Sequence, residues 1–325
     1  RDALALIKKE NPFPAVCGRI CNRRCEDACT RGTIDQAVAI DAVKKFIAQQ
    51  DLNAESRYVP PVVQPSLQGL WKQKIAIIGG GPAGLSCAYF LALQGYKPTV
   101  FEKNPHPGGM LRYGIPSFKL EKDVIDAEIE ILKELGVEIR CGVEVGKEVT
   151  LADLRADGYK AFYLAIGCQG GRKAGVPGEE AAGIQTAVNL LRTVGDDENY
   201  KMSGRTVVIG GGNVAIDAAR VSLRCGSDGV TMVCLEARDK MPASPEEIAE
   251  AEEEGTKITC GYGPKEFIAE NGHVTAVVLK KCTGLYNAEG RFAPTYDEND
   301  TITLPCENVV LSIGQCIEWG DLLNG

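Results

Sequence analysis

Histidine and long apolar runs are both scarce in this sequence, and each shortage argues against a class of protein. The chain has only two histidines among its 325 residues, His106 and His273, so a histidine-based metal site has little support. No run approaches the roughly 20 apolar residues that a membrane-spanning helix requires. Residues 1–9 lack the apolar core and the cleavage pattern of a signal peptide. A cytoplasmic protein is therefore the default expectation.

Basic residues are too few to form a binding face for polyanions. Lysine and arginine number 36 against 44 acidic residues, which gives a formal net charge of −8 at pH 7. Nucleic acids and anionic membranes both require a basic surface, so we expect neither as a partner. Hydrophobic residues make up 44% of the chain. That share is sufficient for the buried cores of roughly two to three domains at this length.

Cysteine is abundant, and its spacing carries information only at the N-terminus. Thirteen cysteines is an odd number, which argues against a disulfide framework. Cys17, Cys21, Cys25 and Cys29 recur at every fourth position. Four thiolates suit an iron–sulfur cluster or zinc, and zinc is less favoured because its paired ligands more often lie two residues apart. On one continuous helix the outer sulfurs would lie about 18 Å apart, so either the segment bends or two clusters share the thiolates.

A first dinucleotide-binding signal lies between Lys74 and Glu102. The apolar run Lys74–Ile78 has the pattern of a buried parallel strand, and the sequence Gly79-Gly80-Gly81-Pro82-Ala83-Gly84 follows it directly. A helix is expected from Ala83 to Leu93, with its N-terminus toward a pyrophosphate. The next strand, Pro98–Glu102, ends in a carboxylate that is placed to accept hydrogen bonds from an adenosine ribose.

The same pattern begins again at Arg205. A strand leads into Gly210-Gly211-Gly212-Asn213-Val214-Ala215, which has the G-x-G-x-x-A form, and a helix follows to Arg224. The next strand ends at Leu235-Glu236. A carboxylate at Glu236 favours the free 2′-hydroxyl of NAD and repels the 2′-phosphate of NADP, although Arg238 leaves NADP as an alternative.

Two such folds predict two nucleotides, and a flavin with a nicotinamide is the economical pair. Hydride then passes between their rings, and the protein supplies binding, orientation and electronic tuning. No side-chain acid or base is obligatory, so we expect no catalytic residue.

The remaining segments predict secondary structure but no binding site. Residues 51–70 read as a proline-containing linker, and residues 123–135 as a helix with an apolar stripe. Ser244 and Pro245 begin a helix with a capping box, which Gly255 ends. Between Gly272 and Ile313 we expect strands joined by a hairpin loop at residues 287–300.

In combination these motifs resemble the small (β) subunit of bacterial glutamate synthase and its relatives. The relatives include the flavin-bearing half of dihydropyrimidine dehydrogenase and the NADPH-binding subunits of bifurcating transhydrogenases. The resemblance covers nearly the whole chain. It rests on residues 79–84 and 210–217, on Asn11-Pro12-Phe13-Pro14, Cys17-Gly18-Arg19-Ile20-Cys21, Gly108-Gly109-Met110-Leu111-Arg112-Tyr113-Gly114-Ile115-Pro116, Ala165-Ile166-Gly167, Met241-Pro242 and Ile313-Gly314.

The resemblance implies an α/β fold of two Rossmann-like domains behind a small helical iron–sulfur domain with two [4Fe–4S] clusters. It also implies an FAD domain that is split by an inserted NAD(P)H domain, and electron delivery to or from a partner subunit or domain. The expected divisions are 1–50 for the iron–sulfur domain, incomplete at its N-terminus, 51–70 for the linker, 71–170 for the first part of the FAD domain, 171–300 for the NAD(P)H domain and 301–325 for the return to the FAD domain.

By position, the resemblance assigns cofactor-binding residues and metal ligands to this chain. The expected metal ligands are Cys17, Cys21, Cys25 and Cys29. The expected cofactor-binding residues are Gly79, Gly81, Pro82, Ala83, Gly84, Glu102, Lys103, Gly109, Met110, Leu111, Arg112, Ile115, Val145, Ala165, Gly167, Gly210, Gly212, Asn213, Val214, Ala215, Glu236, Arg238 and Gly314.

Three departures from the family pattern adjust these expectations. Glutamate synthase relatives place two arginines for the 2′-phosphate where this chain has Leu235 and Glu236, which favours NAD. Some relatives use a Glu or Gln as a cluster ligand where this chain has Lys44-Lys45, which favours Cys17 as a ligand. The chain also lacks upstream cysteines and stops soon after Gly314, before the family's terminal FAD segment, so we expect a fragment of a longer polypeptide.

Other functions have less support in the sequence. A thioredoxin-reductase type of enzyme requires a redox-active cysteine pair, and the chain contains no C-x-x-C. A non-catalytic docking subunit with vestigial nucleotide sites is opposed by the intact glycine loops. The electron acceptor stays open among the large subunit of glutamate synthase, a ferredoxin, a hydrogenase and a pyrimidine-reducing domain.

Overall fold

The structure is a computed structural model, and it describes residues 1–63 and 73–324. These residues fall into two compact units. The first unit is Arg1–Gly167 with Trp319–Gly325, and the second is Cys168–Glu318. The last seven residues of the predicted proline-containing linker, 64–70, lie outside the described residues, as does residue 325.

Short helices form the N-terminal part of the first unit. They are α1 Asp2–Lys8, α2 Pro14–Ile20, α3 Arg24–Asp27 and α4 Ile40–Leu52, with a 3-10 turn at Thr30–Thr33. Phe13 and Val16 pack in the same buried cluster as Leu85 and Tyr89, which belong to the adjoining α/β layer. The N-terminal helices therefore share one hydrophobic core with that layer.

A four-stranded parallel sheet in the order β3-β2-β1-β4 forms the centre of the first unit. Its strands are β1 Lys74–Ile78, β2 Pro98–Glu102, β3 Glu138–Cys141 and β4 Tyr159–Leu164. Four of the five residues of β1 and all five of β2 are buried. Such burial is what their continuous apolar runs predicted. The helices are α5 Pro82–Leu93, α6 Met110–Tyr113, α7 Lys122–Glu134 and α8 Leu151–Ala156.

A five-stranded parallel sheet in the order β6-β13-β7-β8-β9 forms the centre of the second unit. Its strands are β6 Ile184–Thr186, β7 Arg205–Ile209, β8 Gly229–Cys234, β9 Lys257–Cys260 and β13 Asn308–Leu311. Its helices are α9 Ala187–Asp196, α10 Asn213–Arg224 and α11 Pro245–Glu253. The repeated strand–helix–strand pattern in the sequence therefore corresponds to a second parallel sheet.

An antiparallel sheet in the order β10-β11-β12 completes the second unit, together with the short pair β5 and β14. The bounds are β5 Gly170–Gly171, β10 Tyr262–Glu270, β11 His273–Tyr286, β12 Phe292–Pro305 and β14 Gln315–Cys316. The predicted hairpin loop at 287–300 was too long, because β12 already begins at Phe292. Most residues of β12 are exposed, so its polar sequence gave no sign of a strand.

The unit boundaries differ from the expected divisions at 171 and 301. The second unit extends from Cys168 to Glu318. The difference at its end has a physical cause, since β13 pairs in parallel with β7 and β6. Residues 308–311 therefore belong to the sheet of the second unit.

A search of the described part of the chain finds no helix long and apolar enough to span a bilayer.

Candidate functional site

The first glycine loop makes a tight turn between β1 and α5. Gly79 has a φ of +109°, and a Cβ atom there would lie 2.4 Å from the carbonyl oxygen of Ala165. A Cβ at Gly84 would lie 2.0 Å from the carbonyl oxygen of Gly79. Helix α5 begins at Pro82, one residue after Gly81. The loop thus has the close backbone packing that a pyrophosphate-binding turn requires.

Glu102 points back at this loop from the end of β2. Its side chain is buried, and Oε2 accepts a hydrogen bond from the backbone N–H of Gly80 at 2.7 Å. Oε1 accepts from the backbone and side-chain amides of Asn104 at 2.8 and 2.6 Å. Because a carboxylate has about four lone-pair sites and three are used here, one site on Oε2 is left for a ribose hydroxyl. Sequence analysis did not identify Asn104 as a partner that fixes this carboxylate.

A second loop, residues 108–116, packs directly against the glycine loop. Gly108 N–H donates to the carbonyl oxygen of Gly80 at 2.7 Å. Gly109 has a φ of +52°, and a Cβ there would lie 2.7 Å from the Cα of Gly81. Lys122 donates to the carbonyl oxygens of Arg112 and Ile115 at 2.6 and 2.8 Å. The structure therefore brings the two predicted FAD segments together, with Lys122 as a support that sequence analysis missed.

The other residues predicted to bind the first nucleotide differ in burial and in the contacts they make. Ala165 N–H donates to the carbonyl oxygen of Ile78 at 2.8 Å, so Ala165 continues β4 beside the glycine loop. Arg112 forms an ion pair with Asp126. Val145 is buried, whereas Lys103 and Gly167 are exposed. Met110 and Leu111 lie in α6, which begins directly after Gly109.

The second glycine loop repeats the same geometry in the second unit. A Cβ at Gly210 would lie 2.3 Å from the carbonyl oxygen of Ser312, whereas a Cβ at Gly212 would meet nothing within 4 Å. Space is therefore open beside Gly212, where a phosphate would approach the start of α10. Asn213 Oδ1 accepts from the backbone N–H of Ser244 at 2.9 Å. That bond ties the loop to the start of α11. Ala215 is buried and Val214 is exposed.

A cavity of about 620 Å³ lies over this loop. The predicted carboxylate, Glu236, lines it together with Gly210, Gly211 and Gly212. Several other lining residues come from the long hairpin and were not predicted. They are Lys280, Phe292, Pro294 and Tyr296. A smaller cavity of about 240 Å³ brings Gly314 beside Gly212, Asn213 and Val214.

Three cations near the larger cavity are paired with carboxylates, whereas Arg172, which lines the cavity, donates to the carbonyl oxygen of Gln315 at 3.3 Å. Lys280 lies 2.7 Å from Glu298, and Lys173 lies 2.8 Å from Glu180. Arg238, which sequence analysis offered as a phosphate ligand, lies 2.6 Å from Glu252. The pairing partners of all three cations come from distant or exposed positions. Sequence analysis therefore had no local signal for this neutralisation.

The four N-terminal cysteines lie on a broken segment. The chain is extended at Cys21, where ψ is 134°, and left-handed at Arg23, where φ is 53°. In residues 1–63 and 73–324 no three His, Cys, Asp or Glu side chains lie close enough to share a metal ion. The structure therefore breaks the single-helix arrangement, but it does not bring the four predicted ligands together.

The thiol pKa values of Cys29 and Cys17 shift in opposite directions. Hydrogen bonds from the backbone of Val38 and Arg31 lower the pKa of the Cys29 thiol. Burial raises the pKa of Cys17, whose Sγ donates to Asn11 Oδ1 at 3.6 Å. Thiol donors with backbone amides nearby fit the soft-ligand chemistry of iron–sulfur clusters.

Residues 73–317 match the family model for pyridine nucleotide-disulphide oxidoreductases. The chain belongs to the pyridine nucleotide-disulphide oxidoreductase family. Residues 1–56 match a second model, dihydropyrimidine dehydrogenase domain II with a 4Fe-4S cluster. These matches confirm the predicted fold and the oxidoreductase class. They also confirm FAD, a nicotinamide nucleotide and [4Fe–4S] as the cofactors, with iron–sulfur favoured over zinc.

Curated relatives of this oxidoreductase confirm the resemblance that the motifs indicated. The glutamate synthase [NADPH] small chain of Escherichia coli is 34% identical, over 98% of this chain and 70% of its own length. The NADP(+)-dependent formate dehydrogenase subunit beta of Moorella thermoacetica is 36% identical, over 98% of this chain and 48% of its own length. The chain thus spans about half the length of the first curated relatives it matches.

Solved structures agree on the fold of this oxidoreductase. FprA of Mycobacterium tuberculosis in complex with NADPH has a TM-score of 0.64 at 20% identity, over 75% of this chain and 71% of that chain. The thioredoxin reductase of T. acidophilum has a TM-score of 0.56 at 18% identity, over 78% of this chain and 81% of that chain. At such identities the likeness shows the fold alone.

Proposed function

We propose that this chain is part of an oxidoreductase subunit that moves hydride between NAD(H) and FAD, and electrons between FAD and [4Fe–4S] clusters. The observation that carries the proposal is the repeated pairing of a glycine loop with a carboxylate at the end of the next strand. Gly79–Gly84 pairs with Glu102, and Gly210–Ala215 with Glu236. When bound, the nicotinamide and flavin supply two-electron chemistry, and the clusters accept single electrons.

In this proposal the protein side chains bind and orient. Glu102 and Glu236 each accept a hydrogen bond from a ribose hydroxyl, and the N-termini of α5 and α10 face the pyrophosphates. The loop at 108–116, fixed by Lys122, forms the wall beside the first glycine loop. No side chain has to donate or accept a proton at the reacting atoms, so catalysis rests on positioning.

Charge at the second site supports NAD over NADP. Glu236 lines the cavity, and a like charge brought against a 2′-phosphate costs several kcal/mol. Arg238, Lys280 and Lys173 lie within 2.8 Å of Glu252, Glu298 and Glu180 respectively. A 2′-phosphate would gain any of these three cations only by displacing its carboxylate, which leaves Arg172 as the cation of the cavity lining that could bind a phosphate.

Cys17, Cys21, Cys25 and Cys29 are the proposed cluster ligands. Their support is the four-residue spacing and the match of residues 1–56 to a 4Fe-4S domain. A partner subunit or domain that exchanges electrons with this chain is part of the proposal, because relatives are named as a subunit beta or a small chain. A cytoplasmic location belongs to the same proposal.

Anaerobic reduction of the bound flavin, followed by absorbance, tests the nucleotide assignment. We expect NADH to be preferred over NADPH by at least about tenfold, which corresponds to about 1.4 kcal/mol. Glu236→Ala should lower that preference by about tenfold, since it removes both the ribose acceptor and the repulsion. Glu253→Ala is the matched control, because Glu253 is an exposed carboxylate of α11.

Two results would contradict this proposal. A preference of the unmutated protein for NADPH would overturn the assignment to NAD. Protein isolated without oxygen that had neither flavin absorbance nor acid-labile sulfide would overturn the proposed reaction itself.

A further inference from the structure

Three sulfur atoms from three separate segments lie in a row of contacts that begins at Cys234, in the wall of the cavity over the second glycine loop. Cys234 ends β8 and Cys260 ends β9, and the two residues are direct neighbours across the parallel strands. Their Sγ atoms lie 3.7 Å apart. Met241, in the turn before α11, places its Sδ 4.0 Å from the Sγ of Cys260. The sheet register thus assembles a sulfur cluster that no short sequence motif contains.

We propose that Cys234, Cys260 and Met241 bind one thiophilic metal ion, of which cuprous copper is the best match. Two thiolates and one thioether are the ligands that soft closed-shell ions select. This site is separate from the N-terminal cysteines, and its three members lie in the second unit.

The two distances from Cys260 Sγ to the other sulfur atoms fit one shared ion. Sulfur ligands lie about 2.3 Å from a d¹⁰ ion such as zinc, which separates two sulfurs by about 3.8 Å in a tetrahedron and about 4.0 Å in a trigonal plane. The observed separations of 3.7 and 4.0 Å agree with these values. Small rotations of the side chains are then sufficient for coordination.

Metal binding at this cluster is an exchange in which the ion takes the place of the two thiol protons. One Cu⁺ that replaces both thiol protons gives a complex of charge −1 and releases two protons to solvent, and no electron is transferred. Arg238 Nη1 lies 3.7 Å from Met241 Sδ, and the same guanidinium is paired with Glu252.

Occupation of this cluster affects nucleotide binding, a consequence that rests on the proposed function. Cys234 lines the cavity, and its Sγ lies 3.6 Å from the carbonyl oxygen of Glu236. An ion that replaces the proton of Cys234 removes the donor of this contact and so loosens the backbone that carries Glu236. Bound copper and bound NADH should therefore oppose each other.

Copper binding by the full chain with its cofactors tests the proposal directly. Cu⁺ is titrated without oxygen against a competing cuprous chelator, and bound copper is counted by mass spectrometry. The other cysteines of the chain also bind some Cu⁺. The test therefore compares the amount of copper bound per protein between variants. We expect the unmutated protein to bind one more equivalent than Cys260→Ser, and Met241→Leu to hold that ion at least about tenfold more weakly.

Cys282→Ser is the matched control. Cys282 is another half-buried cysteine of the second unit, and its Sγ donates to the carbonyl oxygen of Gly284. It should bind as much copper as the unmutated protein. Flavin content and melting temperature show whether each variant is folded, and equal copper binding by folded Cys260→Ser and unmutated protein would overturn the site.

A second readout separates the site from the proposed function. One equivalent of copper should weaken NADH binding at least about fivefold in the unmutated protein and leave Cys260→Ser unchanged. Loss of the extra copper equivalent in Cys260→Ser establishes the ion site even where NADH does not bind at all. That combination would overturn the nucleotide assignment alone.

Discussion

At the scale of single residues, a buried charge cluster joins α1 to α7. Lys8 and Glu128 have side chains that are 1% and 2% exposed, with Nζ and Oε2 3.3 Å apart. Arg57 lies 3.7 Å from the other oxygen of Glu128. Burial raises the pKa of Glu128, and the two cations oppose that shift. The apolar stripe of α7 was predicted correctly, but a carboxylate on the same buried face was not.

Lys8→Met should be strongly destabilising, because it leaves Glu128 with one less counter-charge in the core. Removal of one partner of a buried ion pair costs about 3–5 kcal/mol. The loss should be full at pH 7 and should shrink as the pH falls through the raised pKa of Glu128, since the protonated carboxyl requires no cation. Urea unfolding at pH 7 and pH 5 measures both values. Lys9→Met, at an exposed neighbour, is the control, and a loss of equal size at both pH values would refute this account.

At the scale of elements, helices α2 and α4 approach so closely that only glycine fits between them. A Cβ at Gly18 would lie 2.8 Å from both Cα and Cβ of Lys45. Helix α2 carries Cys17 and ends next to Cys21. The placement of these two cysteines therefore depends on the contact between α2 and α4, which the cysteine spacing alone did not show.

Gly18→Ala should separate α2 from α4 and disturb the cluster-binding segment. Overpacking of this kind typically costs about 1–3 kcal/mol. We expect the iron and acid-labile sulfide content to fall by at least about half in protein prepared without oxygen. Gly32→Ala is the matched control, because a Cβ there has its nearest neighbour at 3.7 Å. Unchanged iron and sulfide in Gly18→Ala would show that this contact does not position the ligands.

At the scale of the whole molecule, the two units are connected differently along the chain. The second unit is one continuous stretch, Cys168–Glu318, whereas the first is assembled from two stretches. The second unit also has buried clusters of its own, one around Val208, Ile216 and Met232 and another around Val277 and Leu279. It therefore contains the two features that independent folding requires, a closed core and an unbroken chain.

Residues 168–318, expressed alone, should fold and bind NADH. The expected dissociation constant lies within about threefold of that of the full chain, because the described lining of the cavity belongs to this unit. Isothermal titration measures the affinity, and circular dichroism shows whether the fragment is folded. The same fragment with Glu236→Ala should bind NADH about tenfold more weakly. A folded fragment without measurable NADH affinity would contradict the assignment of this cavity.

The sequence by itself determined both glycine loops, their flanking strands and helices, and the carboxylates Glu102 and Glu236. Each of these depends on a pattern of neighbouring residues, because a tight turn and a buried parallel strand restrict the residues at successive positions. The class of oxidoreductase and its cofactors followed from the same local motifs.

Only the tertiary structure decided which distant residues complete the sites. Lys280 and Tyr296 line the cavity over the second glycine loop because of the register of a long hairpin, and Cys234 contacts Cys260 because β8 pairs with β9. Glu128 accepts a hydrogen bond from Lys8, which lies 120 positions earlier in the chain. Such long-range contacts depend on strand register and on packing throughout the fold. A short sequence motif therefore cannot predict them.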